Sequence, residues 1–183
     1  MSATMIVTPE TKGADVQRIF SAQTKNQYNV GNSTAKERKA KLTKLHKAIE
    51  KYRPQIKEAL YKDYNKHPSE VDLTEIYPIT SEIKHAKSQL KGWMSKQRIH
   101  TPLALMGSSS YVKYEPKGVV LIISPWNFPF NLTFGPLVSA IAAGNTVMVK
   151  PSEMTPHSSA LMKKIIGELF DENEVSVVEG GVS

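Results

Sequence analysis

The chain of 183 residues contains no cysteine. That removes disulfides, thiolate metal ligands and any thiol nucleophile from its chemistry. Histidine is also sparse: His46, His67, His85, His100 and His157 are scattered without metal-ligand spacing, so no metal site is expected. No apolar run approaches the roughly 18–20 residues that span a bilayer. Residues 1–15 lack the basic start and apolar stretch of a secretory signal. A cytoplasmic protein without a membrane span is therefore expected. The chain also has no G-x-G-x-x-G, no nucleophile elbow and no solenoid repeat.

What is present is a chain 40% hydrophobic and 22% charged, which suits a globular domain with a buried core. The net charge of +7 is local: between Lys36 and Lys66 stand eleven basic residues against four acidic ones, the equivalent of the whole excess. The aromatics of this segment are not interleaved as stacking platforms would require, so a solvated helix face is expected and no nucleic-acid partner.

Residues 1–12 are polar and expected to be disordered. A first helix over 14–26 would turn Val16, Ile19 and Phe20 inward. Residues 29–33 read as a linker, with Ser33 or Thr34 as the N-cap of the next helix. Leu42, Leu45, Ile49 and Tyr52 recur at helical spacing. Pro54 then breaks the register and suits the first turn of a new helix carrying Ile56, Ala59 and Leu60. A long helix over 73–97 has the stripe Ile76, Ile79, Ile83, Ala86, Leu90 and Trp93. After His100 the pattern turns to loop, and 111–115 alternates like a half-buried or edge strand.

From Val119 the chain reads as alternating strands and helices. Val119–Ile123 is an uninterrupted apolar run of the kind a strand buried on both faces requires. A helix over 132–143 closes at Gly144-Asn145, a pair suited to a left-handed cap. A strand over 146–149 follows. Thr155-Pro156 offers an N-cap and first-turn proline for a helix to Phe170, with Ala160, Leu161, Ile165 and Leu169 inward. A third strand covers 175–178. Strand–helix–strand alternation implies parallel pairing through right-handed crossovers.

The two strand ends carry the polar groups: Ser124-Pro125-Trp126-Asn127-Phe128-Pro129 after the first strand, and Lys150-Pro151-Ser152-Glu153 after the second. This stretch closely resembles the start of the coenzyme-binding domain of the aldehyde dehydrogenases, oxidoreductases that use NAD or NADP. With Phe130-Asn131-Leu132 and the N-terminal helices, it looks most like the class 3 branch, which handles fatty and aromatic aldehydes.

The resemblance implies an α/β fold: N-terminal helices over 13–100, a bridging strand segment over 101–118 through which subunits associate, and over 119–183 the first half of a parallel Rossmann-like coenzyme-binding sheet. It implies that Asn127 serves the oxyanion hole, donating to the oxygen that gains negative charge as a covalent thiohemiacetal forms and breaks down. Pro125 and Pro129 would stiffen that asparagine. Ile123, Ser124, Pro125 and Trp126 would line the cofactor cleft. Lys150 and Glu153 would hold ribose hydroxyls, the carboxylate opposing a 2′-phosphate while leaving the choice of NAD or NADP open. An aldehyde substrate and a homo-oligomer are expected of the parent enzyme.

The departures matter as much. The family's glycine–serine/threonine turn near the pyrophosphate, its general-base glutamate and its cysteine have no counterpart in these 183 residues. The resemblance reaches about the first two-fifths of a typical member. The chain alone is therefore expected to be inactive, and whether it counts as an enzyme stays open. The rival reading is a non-catalytic binding or regulatory fragment that docks on a full-length relative.

Overall fold

The structure, a computed structural model, describes residues 10–181. Helices α1 (Gly13–Gly31), α2 (Ala35–Lys51) and α3 (Arg53–Tyr64) come first. Then α4 (Pro68–Val71) runs through a single π turn (Asp72–Ile76) into α5 (Tyr77–Trp93). Strands β1 (Gln97–Ile99) and β2 (Ser110–Val112) form an antiparallel pair. The remainder is β3 (Val119–Ile123), α6 (Asn131–Ala143), β4 (Thr146–Lys150), α7 (Pro156–Leu169) and β5 (Val175–Val177), with the strands ordered β3-β4-β5 in one parallel sheet.

Side-chain alternation splits this sheet into two faces. Val120, Ile122, Val147, Val149, Val175 and Val177 join the main core with residues of α6 and α7, and the same core takes in α2, α3 and α5. On the opposite face Met148 and Val178 pack against Ile19 of α1. The architecture is thus a sheet between one helix and a double layer of helices. Among the described residues no helix is long and apolar enough to cross a membrane.

The helix stripes form as their spacing requires: Leu42, Leu45, Ile49, Tyr52, Ile56, Ala59 and Leu60 are all buried. Thr34 caps α2 in a reciprocal box, its hydroxyl accepting from the Glu37 amide while the Glu37 carboxylate accepts from the Thr34 amide. Gly144 ends α6 at φ +85, a conformation that glycine adopts without the Cβ clash.

Several expectations are corrected. Helix α1 continues to Gly31, through most of the expected linker. Phe20 is exposed, and Gln23 is buried in its place because its amide donates to the carbonyls of Val147 and Glu172. The helix over 73–97 begins earlier and stops at Trp93, itself partly exposed, and residues 97–99 are strand. Val119–Ile123 is not buried on both faces. Leu121 is 56% and Ile123 70% exposed, because β3 is an outer strand of the described sheet and neither residue is covered by α1 as Met148 is. Ala160 faces solvent, while Met162, Ile165 and Ile166 carry the buried side of α7.

Of the segment expected to be disordered, residues 1–9 lie outside the described residues. Thr11 exchanges two hydrogen bonds with the Glu179 backbone. The basic segment is not simply solvated. Lys41, Lys51, Lys57 and Lys62 pair with Glu174, Glu168, Asp72 and Glu58, and Arg38 and Lys66 are buried.

Candidate functional site

Two strand ends define the site. Ile123 is the register partner of Lys150, and the ladder extends one step further where the Ser124 amide donates to the Lys150 carbonyl at 3.0 Å. The turns leaving β3 and β4 therefore start side by side, at the carboxyl edge of a parallel sheet where such folds bind ligands. Ile123, Ser124, Pro125, Trp126 and Asn127 leave β3, and Lys150 and Glu153 leave β4, so the sheet brings both groups to one edge.

Each turn is tied down. Ser124 is buried, its hydroxyl 2.7 Å from that of Thr133, which also lies 2.6 Å from the Pro129 carbonyl. This fixes both ends of the Ser124–Pro129 turn on the first helical turns of α6. Pro125, Trp126 and Asn127 between them face solvent. After β4, Lys150 donates to Glu153 at 2.5 Å. That hydrogen bond holds the Glu153 carboxyl below its ordinary value, so it is an ionised acceptor at neutral pH. A lysine ammonium has three N–H donors, which leaves capacity beyond Glu153.

Helices remote in sequence support the asparagine turn. Tyr64, the last residue of α3, donates its hydroxyl to the Asn127 carbonyl at 3.3 Å. Burial first, then the nearby carboxylates of Glu75 and Asp63, push the Tyr64 phenol above its ordinary value, so it remains a donor. Asn65 follows in the left-handed region at φ 57 and turns the chain to Lys66. The Lys66 ammonium lies 2.6 Å from Glu75 in an ion pair whose side chains are 3% and 0% exposed. It also sits 4.1 Å from the centre of the Phe128 ring. The other Glu75 oxygen accepts from the Asn131 amide at 2.9 Å. Glu75 lies in the π turn, the kind of irregularity that often marks functional sites.

A model of the aldehyde dehydrogenase family matches residues 2–183. The chain belongs to that family. It is 49% identical over 145 residues to 4,4'-diaponeurosporen-aldehyde dehydrogenase of Staphylococcus aureus, an alignment covering 79% of this chain and 32% of that protein. It is 41% identical over 146 residues to aldehyde dehydrogenase family 3 member H1 of Arabidopsis thaliana, covering 80% and 30%. Among solved structures, the substrate-bound state of Staphylococcus aureus AldH superposes with a TM-score of 0.87 at 43% identity, covering 91% of this chain and 36% of that one. The chain thus spans about a third of the length of these relatives. Its Rossmann-like α/β fold and its family-3 affinity are those that the motifs imply, in a family of NAD(P)-dependent oxidoreductases.

Sequence reasoning missed Asp63, Tyr64, Lys66 and Glu75. One signal was available for Glu75: Val71, Glu75, Ile79 and Ile83 are each four residues apart, so the carboxylate sits in the apolar stripe of a helix. Tyr64 and Asp63 act through partners 63 and 94 positions away and Lys66 across a non-helical turn, and no local pattern announces them.

Proposed function

We propose that this chain supplies the oxyanion donor and the ribose-binding edge of an NAD(P)-dependent aldehyde dehydrogenase that converts a fatty or aromatic aldehyde to a carboxylate. The observation that carries the reading is the pairing of Ile123 with Lys150 and of Ser124 with the Lys150 carbonyl. That register puts the asparagine turn and the Lys150–Glu153 pair on one edge of the sheet.

Asn127 donates its side-chain N–H to the substrate oxygen as negative charge develops there. A preorganised donor of this kind contributes about 10²–10³ in rate. Lys150 donates to, and Glu153 accepts from, vicinal ribose hydroxyls. The exposed faces of Ile123 and Trp126, with the backbone of Ser124 and Pro125, line the cleft. The donor set fits a dinucleotide, because a cation with spare N–H groups stands beside an ionised carboxylate. NAD(P), when bound, accepts the hydride. Nucleophile and general base are not supplied by these 183 residues, which hold no cysteine.

The test is titration of the 183-residue chain with NAD, followed by calorimetry or ligand-observed NMR. Without a pyrophosphate-binding turn in these residues, saturable binding that is no tighter than roughly millimolar is expected, together with its loss in Lys150→Met. No aldehyde-dependent NADH should form. No saturable binding at any attainable NAD concentration, or binding indifferent to Lys150→Met, would overturn the assignment.

A second reading is favoured by the uncovered sheet face. Leu121, Ile123, Trp126 and Met154 are all at least half exposed, an apolar patch of the kind that marks an association surface. In that reading the chain acts as a non-catalytic module that docks on a full-length relative.

A further inference from the structure

The Lys66–Glu75 pair is the most deeply buried ion pair among the described residues, with side chains 3% and 0% exposed. Such a pair is poor evidence for stability, since well-packed apolar residues of similar volume often serve as well or better. Its remaining contacts, however, converge on one short turn. The cation lies over Phe128, the residue after Asn127. The carboxylate accepts from Asn131, the first residue of α6, whose preceding residue Phe130 provides no side-chain cap. A negative group there also favours the helix dipole. Tyr64, two residues before Lys66, holds the Asn127 carbonyl. The turn from Asn127 to Asn131 is therefore gripped at its start, middle and end by three side chains of the N-terminal part: the last residue of α3, the link after it, and the π turn.

We propose that Tyr64, Lys66 and Glu75 are positioning residues that set the direction of the Asn127 side chain, a role that rests on the oxyanion reading given above. The π turn contributes by placing Glu75 where one carboxylate reaches Lys66 and Asn131 at once. Thr133, which lies against Ser124 and Pro129, holds the turn from the α6 side. The three groups hold it from the opposite side, from the end of α3, the link after it and the π turn. These contacts fix the backbone from which the Asn127 side chain projects, and no hydrogen bond among the described residues engages its N–H groups.

The experiment uses the 15N- and 13C-labelled 183-residue chain in three forms: wild type, Tyr64→Phe, and Lys66→Met/Glu75→Leu. The double variant replaces the pair with apolar groups and is expected to melt within a few degrees of wild type. Trp126 is read alone in a Trp93→Phe background, since the chain has two tryptophans.

In the double variant, amide exchange at Asn131 should accelerate at least tenfold relative to Val147 and Val149 of β4. Trp126 anisotropy should fall and the Asn127 side-chain amide should become mobile, without a matching loss of melting temperature. Tyr64→Phe should shift the Asn127 carbonyl resonance and lower Trp126 anisotropy. The proposal is overturned if the double variant folds with all these signals at wild-type values. It is equally overturned if every amide in the chain loosens together as the melting point drops, which is the signature of an ordinary core pair. If the double variant does not fold, Tyr64→Phe decides alone, and unchanged Asn127 and Trp126 signals in it sink the idea. None of these measurements involves NAD or aldehyde, so failure of the oxyanion reading and failure of the brace are seen separately.

Discussion

Asp63→Ala should destabilise the chain by about 2 kcal/mol, although Asp63 lies in α3 and the helix it would damage is α7. Thr155 precedes α7 but makes no side-chain capping bond. The Asp63 carboxylate instead reaches from α3 to the neighbouring α7 and accepts from the amides of His157 and Ser158, at 3.0 and 2.9 Å. Those are first-turn donors that an α-helix cannot satisfy internally. Loss of an N-cap costs roughly 1 kcal/mol and up to about 2, and removal of negative charge from a helix N-terminus adds about 0.3–1 kcal/mol. Asp63→Asn keeps one acceptor oxygen and loses the charge, so about half the effect is expected. At 183 residues, each kcal/mol lowers the melting temperature by about 2–4 °C, which gives roughly 4–8 °C for the alanine variant. Urea titration with an unchanged slope measures the free energy, and hydrogen exchange at His157 and Ser158 locates it. If Asp63→Ala moves stability by less than about 0.5 kcal/mol, the size of an ordinary surface change, or leaves both amides as protected as before, the cross-helix cap is wrong.

Two further outcomes are expected. Arg38→Leu should cost about 2–4 kcal/mol, read from the urea midpoint. The buried guanidinium donates to the Gly31 and Ala142 carbonyls and to the Ser33 hydroxyl, and stranded acceptors cost about 1–3 kcal/mol each; a cost under 1 kcal/mol would refute the clamp. The wild-type chain should self-associate through its open sheet face and outer strand, giving a light-scattering mass above the monomer that falls in Leu121→Lys. A monomer at high concentration that melts cooperatively above about 60 °C would count against this.

The elements that local pattern announces are those whose burial follows from their own periodicity. Leu42, Leu45, Ile49, Tyr52 and the stripe from Ile76 to Leu90 recur at helical spacing, and each is buried. The Thr34 cap and the Gly144 turn are equally local, since each is decided by residues within three or four positions. The errors fall where a distant partner decides. β1 has three exposed residues and no alternation of its own, and it is a strand only because it pairs with β2. Gln23 displaces Phe20 from the core because backbone acceptors at Val147 and Glu172 await it. Val119–Ile123 has the composition of a doubly covered strand, yet two of its five residues, Leu121 and Ile123, are exposed.

The same division runs through the site. Asn127, Lys150 and Glu153 could be picked out as candidates because motif residues lie next to one another along the chain, and the edge they share follows from the parallel pairing of β3 with β4. What holds them was not legible. Tyr64, Lys66 and Glu75 sit in a segment whose composition announces only amphipathic helix and positive charge. Their partners Asn127, Phe128 and Asn131 lie 56 to 63 positions later. A basic stretch that looks like solvated surface thus conceals two cations, Arg38 and Lys66, and the surroundings of Lys66 are a carboxylate, two aromatic rings and the asparagine turn. The physical asymmetry explains why. Exposed charges gain little from any particular partner, so the residues around them are free to vary. A buried charge must find its partners or the fold fails, and those partners can come from anywhere in the chain. Candidate chemical groups can therefore be picked from a motif, whereas the buried residues that pack against their turn are found only once the chain has folded around them.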